Sequence, residues 1–163
     1  MSADPQPRFV ADKMLGRLAR WLRILGCDVL YGSNFSGKGL LAAARSGDRV
    51  MLTRDRGVLR GGNLPRHLFV ERDHVREQLR QVVDAFALSP TERLFRRCVE
   101  CNGELEVVPR EAATGLVPPF VLETQPDFRR CVRCRHLYWY ATHVERVRRE
   151  LDRMGLGAAE ASA

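Results

Sequence analysis

Short apolar runs alternate with longer amphipathic segments along the first half of the chain. The short runs have the length and residue types of buried strands, and the longer segments repeat their apolar positions at helical spacing. The predicted strands cover residues 9–11, 29–31, 50–52 and 67–70, and the predicted helices cover residues 13–25, 40–45 and 75–86. This order favours an α/β domain of three layers, in which helices cover both faces of a central, mostly parallel sheet.

The segment 13–25 has the clearest helical pattern of the chain. One stripe carries the apolar side chains Leu15, Leu18, Leu22 and Leu25, and the basic side chains Lys13, Arg17 and Arg20 fall near the opposite face, with Arg23 close to them. The stripe predicts that the leucines face the core. The basic face is either a solvated helix surface or a ridge that contacts phosphates.

The second half of the chain is rich in loops and contains several prolines. We divide the chain into a first domain at 8–88, a linker at 89–97, a second unit at 98–155 and a flexible tail at 156–163. A final helix is predicted to begin at Thr142, which forms a capping-box pattern with Glu145, and to end at Gly155.

The positive charge is concentrated in the first part of the chain. The net charge is +7, and residues 1–97 carry 18 Lys and Arg against 10 Asp and Glu, whereas residues 98–163 carry 9 against 10. A basic domain indicates a polyanionic partner such as nucleic acid or a membrane surface. The excess of arginine, 25 against 2 lysines, is equally compatible with a compositional bias of the genome.

No apolar stretch approaches the length of about 18 residues that a membrane-spanning helix needs, and the first residues do not resemble a secretion signal. We therefore expect no membrane partner and a reducing, cytoplasmic location. Disulfides are rare in that compartment.

Four of the five cysteines form two C-x-x-C pairs, Cys98 with Cys101 and Cys131 with Cys134, separated by 29 residues. Two such pairs predict one tetrahedral zinc site, and four thiolate ligands leave no open position for catalysis. The zinc is therefore predicted to be structural. The fifth cysteine, Cys27, is expected to be a small buried residue.

Three aspartates follow predicted strands: Asp12, Asp55 and Asp73. Because parallel strands end at the same edge of a sheet, these carboxylates are expected to converge there. Clustered carboxylates are typical ligands of Mg²⁺ or Mn²⁺, and such a site hydrolyses phosphodiesters without a Ser or His nucleophile. The alternative for each aspartate is that it caps a helix N-terminus.

Two stretches and the cysteine pairs resemble a known family. Residues 9–26 read FVADKMLGRLARWLRILG, residues 52–56 read LTRDR, and Tyr138 and Trp139 follow the second cysteine pair. Together they resemble the PIN-like RNase domain named for the C-terminal part of the Mut-seven protein, with its attached zinc ribbon, over roughly residues 8–155. The resemblance implies a PIN-type nuclease fold with Asp12, Asp55 and Asp73 at the positions of metal-binding acids.

The chain departs from the family pattern after the second strand. Acidic residues begin the next helix in that family, whereas this chain has Ser36, Gly37, Lys38 and Gly39. Gly32 to Lys38 also imitates a phosphate-binding loop, but Gly39 stands where that loop needs a hydroxyl group. Lys38 is better interpreted as a contact to an RNA phosphate.

The sequence therefore predicts a metal-dependent ribonuclease with a structural zinc and a catalytic Mg²⁺ or Mn²⁺. The predicted RNA contacts are Lys13, Arg17, Arg20, Lys38, Arg54 and Arg56. Two alternatives stay open. One is a catalytically weakened RNA-binding or ribosome-associated adaptor with the same fold, and the other is a zinc-ribbon module that binds proteins.

Overall fold

A computed structural model describes residues 6–139 and 141–157 of the chain. Its first half contains the strands β1 (Phe9–Ala11), β2 (Val29–Tyr31), β3 (Val50–Thr53) and β4 (His67–Phe69). These form one sheet in the order β2-β1-β3-β4, and every neighbouring pair is parallel. The predicted α/β class and parallel sheet are confirmed.

Helices α1 (Gly16–Ile24) and α2 (Gly37–Ser46) connect β1 to β2 and β2 to β3, and α3 (Val75–Phe86) follows β4. The helix predicted from residue 13 begins later, because residues 13–15 form a 3₁₀ turn capped by the Asp12 side chain, which accepts a hydrogen bond from the backbone N–H of Met14. Helix α1 ends at Ile24, and Gly26 follows with a φ of +85° that suits glycine, at a place where a side chain would collide with the Arg93 carbonyl.

The sheet separates two apolar cores. On β1, Phe9 and Ala11 point into a core shared with α1 and α3, and Val10 points into a smaller core with α2. The predicted stripe of Leu15, Leu18, Leu22 and Leu25 lies wholly in the larger core. The arrangement has helices on both faces of the sheet, as the alternating strand and helix pattern predicts.

The second half forms a small antiparallel sheet. Its strands are β5 (Leu105–Val108), β6 (Phe128–Cys131) and β7 (Leu137–Trp139), paired in that order, and α4 (Pro119–Thr124) lies in the connection between β5 and β6. We call residues 98–139 the ribbon. A separate core formed by Val108, Ala113, Val117 and Phe128 holds it together.

The last helix, α5 (Ala141–Arg153), returns to the first half of the molecule. Leu151 and Met154 are buried in the larger core of the parallel sheet, and so is Leu156, which we had assigned to a flexible tail. The rest of that predicted tail, from residue 158, and the predicted Thr142 cap lie outside the side chains that the structure describes. None of the described helices has the length and apolar character needed to cross a membrane.

Candidate active site and metal centre

The four cysteines of the two C-x-x-C pairs meet at one point of the ribbon. The Sγ atoms of Cys98 and Cys134 lie 3.6 Å apart, those of Cys101 and Cys131 lie 3.4 Å apart, and all four fall within 4.8 Å of one another. A tetrahedral zinc with bonds of about 2.3 Å separates its sulfur ligands by about 3.8 Å. The cluster can therefore hold zinc.

The turn between Cys131 and Cys134 aims backbone N–H groups at the sulfur atom of Cys131. The N–H groups of Arg133 and Cys134 both donate to Cys131 Sγ. Burial raises the pKa of Cys131, but these donors outweigh it and lower the pKa to about 7. Asn102 and Arg135, which follow the second cysteine of each pair, adopt a φ of +65° in the left-handed region. The backbone thus favours the thiolate form of Cys131, which is the form that binds a metal.

Arg23 attaches this cluster to the parallel sheet. Its guanidinium group donates to the Val29 carbonyl at the start of β2 and to the carbonyls of Val99 and Glu100, at 2.9 and 3.0 Å, between the first two cysteines. The residue is 6% exposed, and burial lowers its pKa from the usual value. The suggestion that Arg23 joins a phosphate-binding ridge is therefore wrong, because its donors are consumed inside the protein.

Asn102 makes a second attachment beside Arg23. Its side-chain oxygen accepts a hydrogen bond from the Val29 N–H at 2.9 Å, and its amide nitrogen donates to Asp28 at 2.7 Å. Asp28 also forms an ion pair with Arg49 at 2.7 Å. Although burial opposes the charged form, these hydrogen bonds lower the pKa of Asp28. The turn of the first cysteine pair is thus tied to the edge of the sheet by buried, fully engaged polar groups.

Asp12 and Asp55 lie at the carboxyl edge of the sheet and are linked by Thr53. The Thr53 hydroxyl donates to Asp12 Oδ2 at 2.8 Å and accepts from the Asp55 N–H at 2.9 Å. Asp55 Oδ1 accepts from the Gly57 N–H, which fixes the turn after β3. Thr53 itself is completely buried. One side chain therefore sets the relative positions of two of the three predicted acids.

Asp12 is 2% exposed, and among the described residues its carboxylate accepts hydrogen bonds only from the neutral groups of Met14 and Thr53. No Lys, Arg or His side chain forms an ion pair with it among the ion pairs of the described residues. The capping role that was the alternative for this residue is present. A buried carboxylate without a basic partner is nevertheless costly, and a cation would compensate its charge.

Asp73 lies apart from the other two predicted acids. Its side chain is 83% exposed and pairs with Arg54 at 2.5 Å, and Arg54 also donates to the Arg72 carbonyl. Asp73 lines a cleft with Arg17, whereas Asp55 lines the neighbouring cleft, and the exposed side chain of Met14 borders both.

Glu71, which was not among the predicted acids, shares a cleft with Asp55. It comes directly after Val70, whose N–H extends the pairing of β4 with β3. The sequence carried this signal, since Glu71 is the first acid after the fourth apolar run. Among the described residues, however, only the cysteines bring three or more potential metal ligands within 4.8 Å of one another.

Five of the six predicted RNA contacts are exposed. Lys13, Arg17, Arg20, Lys38 and Arg56 are exposed, whereas Arg54 is held by Asp73. Arg20 also lies 3.3 Å from Glu100, in a pair that is open to solvent on both sides, so its charge stays available to a stronger anion.

The first turn of α2 contains no acidic residue. Ser36 precedes it in an extended conformation without using its hydroxyl as a cap, and Gly37 has a φ of +49°. Gly39 packs against the Asn34 carbonyl so closely that a side chain would collide with it. The start of this helix therefore presents an exposed Lys38 and no acidic side chain.

Comparison with known proteins gives one match. A family model described as the Mut7-C RNAse domain matches residues 7–151, which includes both sheets and most of α5. Neither a curated protein nor a solved structure matches the chain.

Proposed function

We propose a function from the fact that this chain belongs to the Mut7-C RNAse domain family. It is a metal-dependent ribonuclease that hydrolyses RNA phosphodiester bonds at the carboxyl edge of its parallel sheet. The observation that carries this proposal is the buried Asp12 carboxylate, which has no basic partner in the part of the chain that the structure describes and is joined through Thr53 to Asp55.

The residues at this edge fit a loosely held divalent ion. Mg²⁺ usually keeps several waters and takes only one or two protein carboxylates together with substrate phosphate oxygens. Asp12 and Asp55 would supply those carboxylates, with Glu71 beside Asp55 in the cleft. When bound, such an ion acts as a Lewis acid on the phosphodiester. Asp73, exposed and paired with Arg54, is the least suited of the predicted acids.

The protein's own side chains would hold the RNA strand against this edge. Arg56 lines the Asp55 cleft and Arg17 lines its neighbour, so a strand that crosses both clefts meets a cation in each. The guanidinium group of Arg56 lies 5.1 Å from the centre of the Phe69 ring, and this cation–π contact positions the Arg56 side chain. These contacts orient the phosphate for hydrolysis, in which water adds to phosphorus and a P–O bond breaks.

We further propose that the ribbon binds one structural zinc ion. All four donors are thiolates, which leaves no coordination position for water or substrate. Reduced cysteines of this kind suit a reducing compartment such as the cytoplasm. The ion would stabilise the ribbon and, through Arg23, its attachment to the parallel sheet.

The direct test is a turnover assay with purified protein and single-stranded RNA. Cleavage is expected with added Mn²⁺ or Mg²⁺ and not without them, while the zinc content is measured in parallel so that loss of the structural ion is not mistaken for loss of the catalytic one. Equal cleavage with and without the added ions would contradict the proposed metal dependence.

RNA affinity should depend on the exposed arginines of α1. Arg17→Ala with Arg20→Ala is expected to weaken binding of all RNA sequences alike, because phosphate contacts carry no sequence information. The slope of log affinity against log salt should fall by about 1.4, since each lost phosphate contact on a single strand removes about 0.7. Filter binding at several salt concentrations measures both quantities.

A matched control removes the same charge from a different surface. Arg110 and Arg149 are both exposed, on the ribbon and on α5, and Arg110→Ala with Arg149→Ala should leave the salt slope nearly unchanged. Equal effects of the two double variants would mean that only net charge matters and that α1 has no special role.

A second candidate function is an RNA-binding adaptor with weakened catalysis. The observation that favours it is the start of α2, where Lys38 is exposed and no acid is present. A lysine near the carboxylate edge would lower the affinity of the site for a divalent ion. Because both candidate functions predict RNA binding, only an assay of RNA turnover separates them.

Restoring acids at this helix start should raise activity. Gly37 is a poor site because its φ of +49° strains any side chain, so Ser36→Asp with Lys38→Asp is the better change. Asp at Ser36 is also a favoured N-cap residue. We expect turnover to rise and its Mn²⁺ requirement to fall. Brisk cleavage by the unchanged protein at ordinary Mg²⁺, not improved by these substitutions, would show that the missing acids are not needed.

A further inference from the structure

A groove lies between α1, β7 and α5, away from the carboxylate edge. It encloses about 260 Å³ and is lined mostly by apolar and aromatic groups. The lining residues that matter here are Arg20, Ile24, His136, Tyr138, Trp139 and His143. The volume lies below the range of about 300–1,000 Å³ typical of sites for drug-sized ligands, so the groove suits a single flat ring system.

The groove combines flat rings with a guanidinium group. The His136 and Tyr138 rings contact each other with centroids 4.8 Å apart, and Trp139 is half-buried beside them. Arg20 stands in the lining with its side chain 62% exposed. Proteins recognise unpaired RNA bases by stacking them on aromatic rings and arginine planes, with polar groups at the base edges.

The exposed face of α1 connects this groove with the proposed active site. Arg17 lines the cleft that adjoins Asp55's cleft, and Arg20, three residues further along the same helix, lines the groove. Three residues advance a helix by about 4.5 Å, so the two guanidinium groups can contact neighbouring phosphates of one strand. An RNA strand bound at the carboxylate edge can therefore extend along α1 to the groove.

We propose that this groove binds an unpaired nucleobase of the RNA strand whose phosphates cross Arg17 and Arg20. The proposal rests on the proposed ribonuclease function and names a second point at which the substrate is held. The basic face of α1 favours RNA over an apolar protein side chain as the occupant, because only a nucleic acid would use the arginine in the groove together with the one beside the active site.

The test measures binding of a single-stranded RNA in which one nucleotide at a time is made abasic, without added Mg²⁺ or Mn²⁺. One position, at a fixed distance from the cleavage site, should lose affinity by about 5- to 150-fold, as expected for one lost base–aromatic stack. His136→Ala and Trp139→Leu should each lower affinity for the intact RNA and remove the sensitivity to that abasic position.

The matched control is Phe120→Ala, which removes an aromatic ring that is 72% exposed on α4 of the same ribbon and does not line the groove. It should retain full affinity. Because Trp139 also packs against the ribbon core, circular dichroism and zinc content must be unchanged for its variant, and His136→Ala provides the same test at an exposed position.

Unchanged RNA affinity in His136→Ala and in folded Trp139→Leu, with no sensitive abasic position, would overturn the proposal and would leave an apolar protein segment as the groove's occupant. This failure is distinct from failure of the ribonuclease function, which shows as absence of metal-dependent cleavage whatever the groove variants do.

Discussion

Replacing Cys101 with Ser is expected to release zinc and to destabilise the parallel sheet along with the ribbon. A serine hydroxyl stays protonated near neutral pH and is a poor zinc ligand, and a structural zinc contributes on the order of 10 kcal/mol to the folding of small zinc modules. This is the largest single change in stability that we expect for the chain.

The effect should reach the sheet through Arg23. When the turn between Cys98 and Cys101 opens, the carbonyls of Val99 and Glu100 leave the buried guanidinium group. Hydrogen bonds to charged groups are each worth about 1.5–3 kcal/mol, and an unpaired buried charge costs more. The first half of the chain should therefore unfold at lower denaturant concentration in the variant than in the zinc-bound protein.

Metal analysis and denaturant unfolding, monitored by circular dichroism, measure these effects. The matched control is Cys27→Ala, because Cys27 is buried away from the cluster and burial raises its pKa to about 12, which disfavours the thiolate that zinc needs. This control should keep one zinc per chain. Its free energy of unfolding should fall only by the amount that a small core cavity costs. Protein purified without chelator that contains no zinc would contradict the proposal.

Asp12→Asn is expected to lower RNA turnover by roughly 100-fold or more, because loss of a metal-binding carboxylate removes several kcal/mol of transition-state stabilisation. The fold should survive. An asparagine oxygen can accept the hydrogen bond from the Met14 N–H, and its amide group can donate to the Thr53 hydroxyl in place of the present interaction.

The control for this variant is Asp84→Asn, which removes an exposed carboxylate of α3 that pairs only weakly with Arg80. The Asp84→Asn variant should cleave RNA at the same rate as the unchanged protein. Similar rates for Asp12→Asn and the unchanged protein, at equal RNA affinity, would exclude Asp12 from catalysis and leave it with the capping role that the structure already shows.

The sequence was sufficient to predict the parallel sheet and the cluster of four cysteines. Both depend on local patterns, namely short apolar runs such as Val50 to Leu52 and the fixed spacing of Cys98 and Cys101. Helix α3 was predicted with the same bounds that the structure shows, since its apolar positions repeat without interruption. The finer PIN-like designation stays a prediction.

Features that depend on contacts between distant residues were not predictable in the same way. By its sequence, Arg23 is indistinguishable from an exposed arginine of an amphipathic helix. Its burial depends on a hydrogen bond to the carbonyl of Val99, which lies 76 positions later in the chain. Asp73 and Glu71 both follow the fourth strand, and the sequence does not show that Arg54 would pair with the former. Such pairings depend on side-chain direction at the sheet edge, which periodicity does not specify.

The return of α5 to the sheet has a consequence for the order of folding during synthesis. Leu151, Met154 and Leu156 fill part of the core that α1 and α3 cover only incompletely, and Glu150 pairs with Arg76 of α3. A nascent chain that has reached residue 97 already contains all four parallel strands, but it lacks the side chains that close this core. We therefore expect the emerging sheet to expose part of this core until α5 and the residues that follow it have left the ribosome.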